Sequence, residues 1–298
     1  MSHVLTLIAP PGALSRNIAA EVRDALAALG AHVDAADWLA PNEAADLPFS
    51  GLDPDQATAV ARAALQAQPV DAIAQGPEGR RKALLIADMD STIVTSETLD
   101  ELAAYAGLKE RVAEITRRSM NGELDFAAAL RERVGMLKGL SLEALEGTWK
   151  RTELMPGARA LVRTMAANGA YCALASGGFT FFTGRVAELC GFHSHHSNVL
   201  LDDGAALTGS VEEPVFDRDS KLATLKSLAA SNGLPLSATM AVGDGANDLA
   251  MIGAAGLGVA YRAKPVVANA ARARVDHADL RALLYAQGYR AAEIASDS

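Results

Sequence analysis

Short aliphatic segments recur beyond residue 82, and acidic, hydroxyl or glycine residues follow several of them directly. The expected strands are Ala83–Ala87, Tyr171–Ala175, Thr239–Val242 and Leu257–Ala260. Helical segments separate them, and this alternation predicts a parallel α/β sheet of Rossmann-like type. Ligands bind beyond the carboxyl ends of the strands in such sheets, so we expect the chemistry of this protein directly after its strands.

An inserted helical region is expected between the first two strands. About 80 residues separate them, far more than one crossover helix needs. Helical periodicity covers Glu97–Ala106, Glu110–Met120, Phe126–Leu137 and Leu142–Lys150. The sequence therefore predicts a helical cap at about residues 95–155, above the strand ends.

The N-terminal part has a different pattern, in which short apolar runs alternate with helical stretches. The segments are Val4–Ala9, Ser15–Leu29, His32–Leu39, Asp55–Gln68 and Val70–Ala74. They predict a small α+β module over residues 1–79, followed by a linker at Gln75–Lys82 and a catalytic domain over residues 80–298. Because all candidate site residues follow Lys82, a chain starting near Arg80 is expected to fold and remain active.

Polar groups capable of phosphate chemistry follow three of the strands. Asp88 and Asp90 follow the first, Ser176–Gly178 the second and Gly243–Asp248 the third, while Lys221 opens the preceding helix. Taken singly, an acidic pair is often a turn, paired glycines a hinge and a lysine a surface charge. Their occurrence together at converging strand ends indicates a functional site.

This combination resembles the haloacid dehalogenase superfamily of phosphotransferases, from Lys82 to about Leu284. Further motifs in the cap, Ser96–Glu101, Met120–Gly122, Phe126 and Arg131–Val134, are similar to the phosphoserine phosphatase family. Thr98 departs from that pattern, since many members carry cysteine or another small residue there. The resemblance implies a haloacid dehalogenase core with a helical cap. It also implies hydrolysis of O-phosphoserine to serine and phosphate, the final step of serine biosynthesis.

The resemblance also implies roles for the acidic residues. Asp88 would attack phosphorus and carry an aspartyl phosphate, while Asp90 would be first general acid and then general base. Mg²⁺ would bind to Asp88, Asp244 and the main-chain carbonyl of Asp90, since this ion prefers hard oxygen ligands. Asp248 would not bind the ion itself and would lie next to the residues that do.

Substrate binding is assigned by the same resemblance. Ser176, the Gly177 amide and Lys221 would hold the phosphoryl oxygens, with Asn247 ordering the phosphate or a metal-bound water. In the cap, Arg133 would bind the α-carboxylate, Glu97 the α-ammonium group, and Met120 with Phe126 would form an apolar cover.

Composition excludes several classes of partner. The formal net charge of −9, from 27 basic and 36 acidic residues, disfavours nucleic acid. Polar residues interrupt the longest charge-free stretch, so no membrane span is expected, and the residues at the N-terminus lead us to expect no secretory signal. Cys172 and Cys190 have no metal-ligand spacing and are typical of a cytoplasmic protein. We expect a small-molecule substrate, and the sequence leaves a homodimer open.

Other interpretations remain open at this point. The protein could act on a different small phosphorylated metabolite, or be an amino-acid-binding regulator without catalysis. The N-terminal module resembles the ACT-like regulatory fold, which has the order βαββαβ, and it could be an amino-acid sensor or a structural or dimerising appendage. His193, His195 and His196 are expected in an exposed loop, and Asn198–Val211 as a β-hairpin flap.

Overall fold

The computed structural model describes residues 2–297, which form two packed sheets, a separate two-stranded hairpin and helices. The N-terminal elements are β1 (Ser2–Ile8), α1 (Arg16–Ala28), β2 (His32–Val33), β3 (Asp37–Ala40), β4 (Ala44–Ser50), α2 (Pro54–Leu65) and β5 (Asp71–Gln75). The antiparallel sheet has the order β2–β4–β1–β5, and β3 also pairs with β4. The side chains of Ser15 and Asp53 cap α1 and α2 by accepting backbone N–H bonds.

Among the N-terminal elements, β4 is the strand that the sequence analysis missed. It carries Asp46 and Pro48, which are uncommon in interior strands. Pro48 has no backbone N–H group to donate, and its carbonyl accepts a hydrogen bond from the Asp34 amide at 2.9 Å. Asp46 is buried but accepts hydrogen bonds from Thr6 and Arg80, so its charge is compensated inside the molecule.

The second sheet is parallel and confirms the expected α/β fold. The strands that follow in the chain are β6 (Leu84–Ala87), β7 (Tyr171–Phe179), β8 (Ser194–Asn198), β9 (Leu200–Asp202), β10 (Leu207–Val211), β11 (Thr239–Gly243), β12 (Leu257–Tyr261) and β13 (Ala273–Val275). The strand order is β13–β12–β11–β6–β7–β8. Strands β9 and β10 form the expected hairpin. The expected exposed loop is wrong for His195 and His196, because both belong to edge strand β8, which pairs with β7.

Four helices form the cap between β6 and β7. They are α3 (Thr98–Ala104), α4 (Lys109–Met120), α5 (Phe126–Gly135) and α6 (Glu143–Trp149). The β9–β10 hairpin is tied to this cap, since the Gly139 amide donates to the Leu207 carbonyl and the Leu207 amide donates to the Leu140 carbonyl. The cap therefore has two supports, its own connections to the core and this hairpin.

The remaining helices pack around the parallel sheet. They are α7 (Ala158–Ala167), α8 (Thr180–Cys190), α9 (Arg218–Ser231), α10 (Leu249–Ala254), α11 (Pro265–Ala270) and α12 (Ala282–Ala286). Short 3₁₀ turns cover Leu236–Ala238, Ala246–Asp248 and Ala291–Glu293. Within residues 2–297 no helix combines the length and apolar character that crossing a bilayer requires.

The two sheets share a buried interface. Ile8, Leu39 and Ile73 from the N-terminal sheet belong to the same apolar core as Leu283 and Tyr285. Polar contacts surround this core. The Asp71 carboxylate, for example, accepts three consecutive amides from residues 276–278 at 2.8–3.2 Å. The N-terminal sheet is thus docked firmly on the larger one.

Candidate active site

The carboxyl ends of three neighbouring strands meet at the predicted edge of the parallel sheet. Strand β6 lies between β7 and β11, so Asp88 is flanked by Ser176 on one side and Asp244 on the other. The Asp88 amide donates to the Val242 carbonyl at 2.9 Å, which continues the β6–β11 pairing to the start of the loop. All three side chains are buried. Local strand geometry therefore brings groups from distant parts of the chain together.

A small cavity lies between these strand ends and the cap. It has a volume of about 20 Å³ and is lined by Asp88, Asp90, Glu97, Leu99, Met120, Phe126, Leu130, Arg133, Ser176, Gly177, Gly178, Phe179, Asp244 and Asn247. Ten of the twelve predicted site residues are in this lining; Lys221 and Asp248 are outside it, next to Asp88. A cavity of this size holds about one water molecule, so the cap is closed and must move to admit a substrate.

Lys221 joins two buried carboxylates. Its Nζ atom donates to Asp88 Oδ1 at 2.5 Å and to Asp248 Oδ1 at 2.6 Å. Burial alone would lower the pKa of Lys221, but Asp248 and Asp88 outweigh it and the pKa is raised. Burial, followed by the charge of Asp248, raises the pKa of Asp88 well above its usual value. Lys221 thus stays charged and holds Asp88 in place.

Asp88, Asp244 and Asp248 form a cluster that could hold a metal ion, with ligand oxygens within 4.8 Å of one another. The Asp248 Oδ2 atom already accepts the amides of Asp244 and Gly245. Asp244 Oδ2 is buried and accepts no hydrogen bond from any residue in the range 2–297, although Lys264 Nζ lies 3.5 Å away. Because buried carboxylate oxygens require a partner, this oxygen fits a bound cation. The group contains no side-chain oxygen of Asp90.

The Asp90 carboxyl group is positioned for proton transfer. Its Oδ1 atom accepts the Thr98 amide at 2.9 Å, at the N-terminus of α3. Burial, followed by the nearby charge of Glu97, raises the pKa of Asp90 to about 7. Gly178 approaches it so closely that a β-carbon there would lie 2.8 Å from Asp90 Oδ2. A carboxyl group of this kind exchanges protons readily near neutral pH.

Arg133 brings a buried positive charge to the cap side of the cavity. It is 3% exposed, and its Nε and Nη1 atoms donate to the Ala129 carbonyl and to Thr116 Oγ1. Across residues 2–297, no carboxylate forms an ion pair with it and its Nη2 atom donates no hydrogen bond. Glu97, which also lines the cavity, accepts a hydrogen bond from Ser91 Oγ at 2.7 Å. The cavity therefore presents one cationic and one anionic group from the cap.

Comparison with known proteins agrees with this geometry. The family model "haloacid dehalogenase-like hydrolase" matches residues 85–253. The chain belongs to the haloacid dehalogenase-like hydrolase family. It is 38% identical over 289 residues to a phosphoserine phosphatase of Streptomyces coelicolor, covering 94% of this chain and 70% of that protein.

Two shorter proteins also resemble this haloacid dehalogenase-like hydrolase. A phosphoserine phosphatase of Streptococcus thermophilus is 45% identical over 199 residues, which cover 67% of this chain and 93% of that protein. A solved structure of a phospho-aspartyl intermediate analogue of phosphoserine phosphatase has a TM-score of 0.66 and 38% identity, over 68% of this chain and 98% of that one. The expected fold class and hydrolase activity are confirmed.

Several residues of this haloacid dehalogenase-like hydrolase that support the site were not predicted. Ser91 has a left-handed backbone with φ of 57° and holds Glu97, while the Thr98 amide holds Asp90. Both lie near the acidic motif, where loop geometry could have drawn attention to them. Thr116 and Lys264 show no comparable sequence signal, because their contacts with Arg133 and Asp244 arise from packing between separate elements.

Proposed function

We propose that this hydrolase removes phosphate from O-phosphoserine and releases serine, the final step of serine biosynthesis. The observation that carries the proposal is the buried Arg133 guanidinium, which forms no ion pair with any residue from 2 to 297 and lines the same cavity as Glu97 and Asp88. Leaving a buried cation unpaired is costly, and an anionic group of a ligand relieves that cost. Relatives named phosphoserine phosphatase support the same substrate.

Asp88 is the nucleophile in the proposed reaction. Its carboxylate attacks phosphorus, the bond to the serine oxygen breaks, and an aspartyl phosphate forms. Lys221 fixes one carboxylate oxygen of Asp88 at 2.5 Å, which leaves the other oxygen to attack. Ser176, Gly177 and Asn247 line the same cavity and would hold the phosphoryl oxygens.

Asp90 transfers the protons of both steps. With a pKa raised to about 7, its carboxyl group can protonate the departing serine oxygen. The resulting carboxylate then takes a proton from the water that hydrolyses the aspartyl phosphate. The Thr98 amide holds one Asp90 oxygen, so the other is available for both transfers.

Substrate choice is assigned to the cap. Arg133 would bind the α-carboxylate and Glu97 the α-ammonium group, while Met120 and Phe126 form an apolar cover. A phosphorylated metabolite without the amino-acid group would leave both charges unpaired in a closed cavity. This favours phosphoserine over other small phosphate esters.

Mg²⁺ is the cation that we propose for the acidic cluster. Asp88, Asp244 and the main-chain carbonyl of Asp90 would hold it, and Asp248 would keep Lys221 and the Asp244 loop in place. When bound, the ion neutralises charge on the phosphoryl group and on the acidic residues around it. The hard oxygen ligands of this site suit Mg²⁺ better than softer metals.

Phosphate release from a panel of metabolites tests the proposal. The panel contains phosphoserine, phosphohomoserine, phosphoethanolamine and a sugar phosphate, each with Mg²⁺ and with a chelator. We expect the highest kcat/KM for phosphoserine and loss of activity with the chelator. A preference for a substrate without an amino-acid group would refute the substrate, and no release from any ester would favour a non-catalytic regulator.

Three further expectations stay predictions. They are the cytoplasmic location, the homodimer, and the division into an N-terminal module at residues 1–79 and a catalytic domain at residues 80–298. The observed N-terminal order, with β2 and β3 together in the place of one strand, has the form βαββαβ. An amino-acid sensor and a purely structural appendage both remain compatible with that order.

A further inference from the structure

One hydroxyl group joins three helices of the cap. Thr116 on α4 donates from Oγ1 to Asp100 Oδ1 on α3 at 2.6 Å, and it accepts a hydrogen bond from Arg133 Nη1 on α5 at 2.9 Å. Asp100 is 8% exposed, and Thr116 and Arg133 are each 3% exposed. A buried polar chain of this kind fixes the relative positions of its members, because each broken bond would leave a group unsatisfied.

The direction of the hydrogen bonds follows from the chemistry of the three groups. An ionised carboxylate only accepts, and a guanidinium group only donates. The single Thr116 proton therefore points towards Asp100, or towards the Val112 carbonyl at 3.1 Å, and an oxygen lone pair faces Arg133. The Thr116 hydroxyl thus presents an acceptor to the guanidinium at all times.

Thr116 bridges Asp100 and the guanidinium group through its Oγ1 atom. Within the described residues, Asp100 makes no ion pair with Arg133, although the negative charge of Asp100 acts to raise the pKa of Arg133. A direct Asp100–Arg133 pair would occupy the donors that bind a carboxylate. With Thr116 bridging the two groups, the negative charge of Asp100 favours the charged form of the Arg133 guanidinium. The Arg133 Nη2 atom nevertheless makes no hydrogen bond to residues 2–297.

We infer that Thr116 is a positioning residue that determines specificity for the substrate carboxylate. This inference rests on the proposed function. Thr116 and the Ala129 carbonyl hold two nitrogens of Arg133 and so fix the plane of the guanidinium group. Arg133 lines the cavity, and its Nη2 atom donates no hydrogen bond to residues 2–297. Without the hydroxyl, Arg133 would keep its charge but lose the orientation needed for a two-point contact with the carboxylate.

The test compares phosphoserine with phosphoethanolamine, which lacks the carboxylate. Thr116→Val is expected to lower kcat/KM roughly ten-fold on phosphoserine and by less than about three-fold on phosphoethanolamine. Thr116→Ser retains the hydroxyl and is expected to keep the preference of the unmodified protein for phosphoserine over phosphoethanolamine. In an Arg133→Ala background, Thr116→Val should have little further effect, because the residue acts through Arg133.

Thr148→Val is the matched control. Thr148 is also a buried cap threonine, on α6, but its hydroxyl has no hydrogen-bond partner among the described residues. The Thr148→Val substitution should therefore leave the preference for phosphoserine over phosphoethanolamine unchanged. Circular dichroism and thermal unfolding of each variant check that the cap remains folded.

The possible results separate the inference from the proposed function. Equal losses of Thr116→Val on both substrates would overturn the inference alone, since Thr116 would then act only on cap stability. A selective loss that persists in the Arg133→Ala background would also overturn it. If the unmodified protein shows no preference for phosphoserine, both the proposed function and the inference are refuted.

Discussion

The distal edge of the Phe126 ring contacts Gly177, so close that a β-carbon at Gly177 would overlap the Cζ atom of the ring. Phe126 opens cap helix α5, and Gly177 belongs to strand β7 of the core. The missing side chain at Gly177 therefore allows the cap to close over Asp88 and Asp90. Closure is what reduces the cavity to about 20 Å³ and excludes bulk water.

Gly177→Ala is expected to hinder closure. We expect kcat/KM to fall on the order of 100-fold on phosphoserine and phosphoethanolamine alike, because misplacement of the cap affects every substrate. Gly253→Ala is the control, since Gly253 lies in α10 with no atom within 4 Å of an added β-carbon. Similar activities for the two variants would show that the Phe126–Gly177 contact is unimportant for closure.

Asp88→Asn should abolish turnover with little loss of stability, because an amide cannot attack phosphorus. Lys221 keeps its hydrogen bond to Asp248 in this variant. Phosphate release and mass spectrometry of enzyme quenched during turnover measure the effect, with Asp219→Asn on the exposed start of α9 as the control. An aspartyl phosphate detected on the variant, or substantial activity, would contradict the assignment of the nucleophile.

The pH dependence of kcat/KM should report on Asp90. Burial, followed by Glu97, raises its pKa to about 7, so the protonated acid persists up to neutral pH and is lost as the pH rises further. For phosphoserine we expect kcat/KM to fall about ten-fold per pH unit above that pKa.

With p-nitrophenyl phosphate the same decrease should be absent, because its leaving group departs without a proton. Asp90→Asn should lose far more activity on phosphoserine than on the nitrophenyl ester. Identical pH profiles for both esters would exclude Asp90 as the general acid.

Arg80→Ala tests the contact between the two sheets. Arg80 donates to both Asp46 oxygens at 2.6 and 3.0 Å, and both side chains are nearly buried. Removing one partner of such a pair should lower the free energy of unfolding by about 3 kcal/mol, as measured by chemical denaturation. Arg23→Ala, which breaks the exposed Arg23–Asp24 pair, should cost less than about 1 kcal/mol. Equal effects would mean that the interface adds little stability.

This interface also changes the expectation for a chain that starts near Arg80. Such a chain would expose the apolar face that packs against Ile8, Leu39 and Ile73 and would leave Arg80 without Asp46. We now expect lower solubility and stability for it, although its site residues are complete. Unfolding and phosphate-release measurements on the shortened chain check this.

The sequence by itself determined four adjacent strands of the parallel sheet, β12–β11–β6–β7, and most of the cavity lining. Asp88 and Asp244 directly follow β6 and β11, Ser176 follows the aliphatic part of β7, and parallel strands bring their carboxyl ends to one edge. Each motif is thus placed by the strand that precedes it. The helices of the cap followed in the same way from their periodicity, because a repeat along one element requires no knowledge of its neighbours.

Only the tertiary structure decided the contacts between elements. Lys221 and Asp88 are 133 positions apart, and Thr116 and Arg133 lie on different helices 17 positions apart. Strand β4 was missed for the same reason, since its buried Asp46 is compensated by Arg80 from outside the strand. Sequence periodicity shows which face of an element is buried, whereas the partner of a buried charge depends on how separate elements pack.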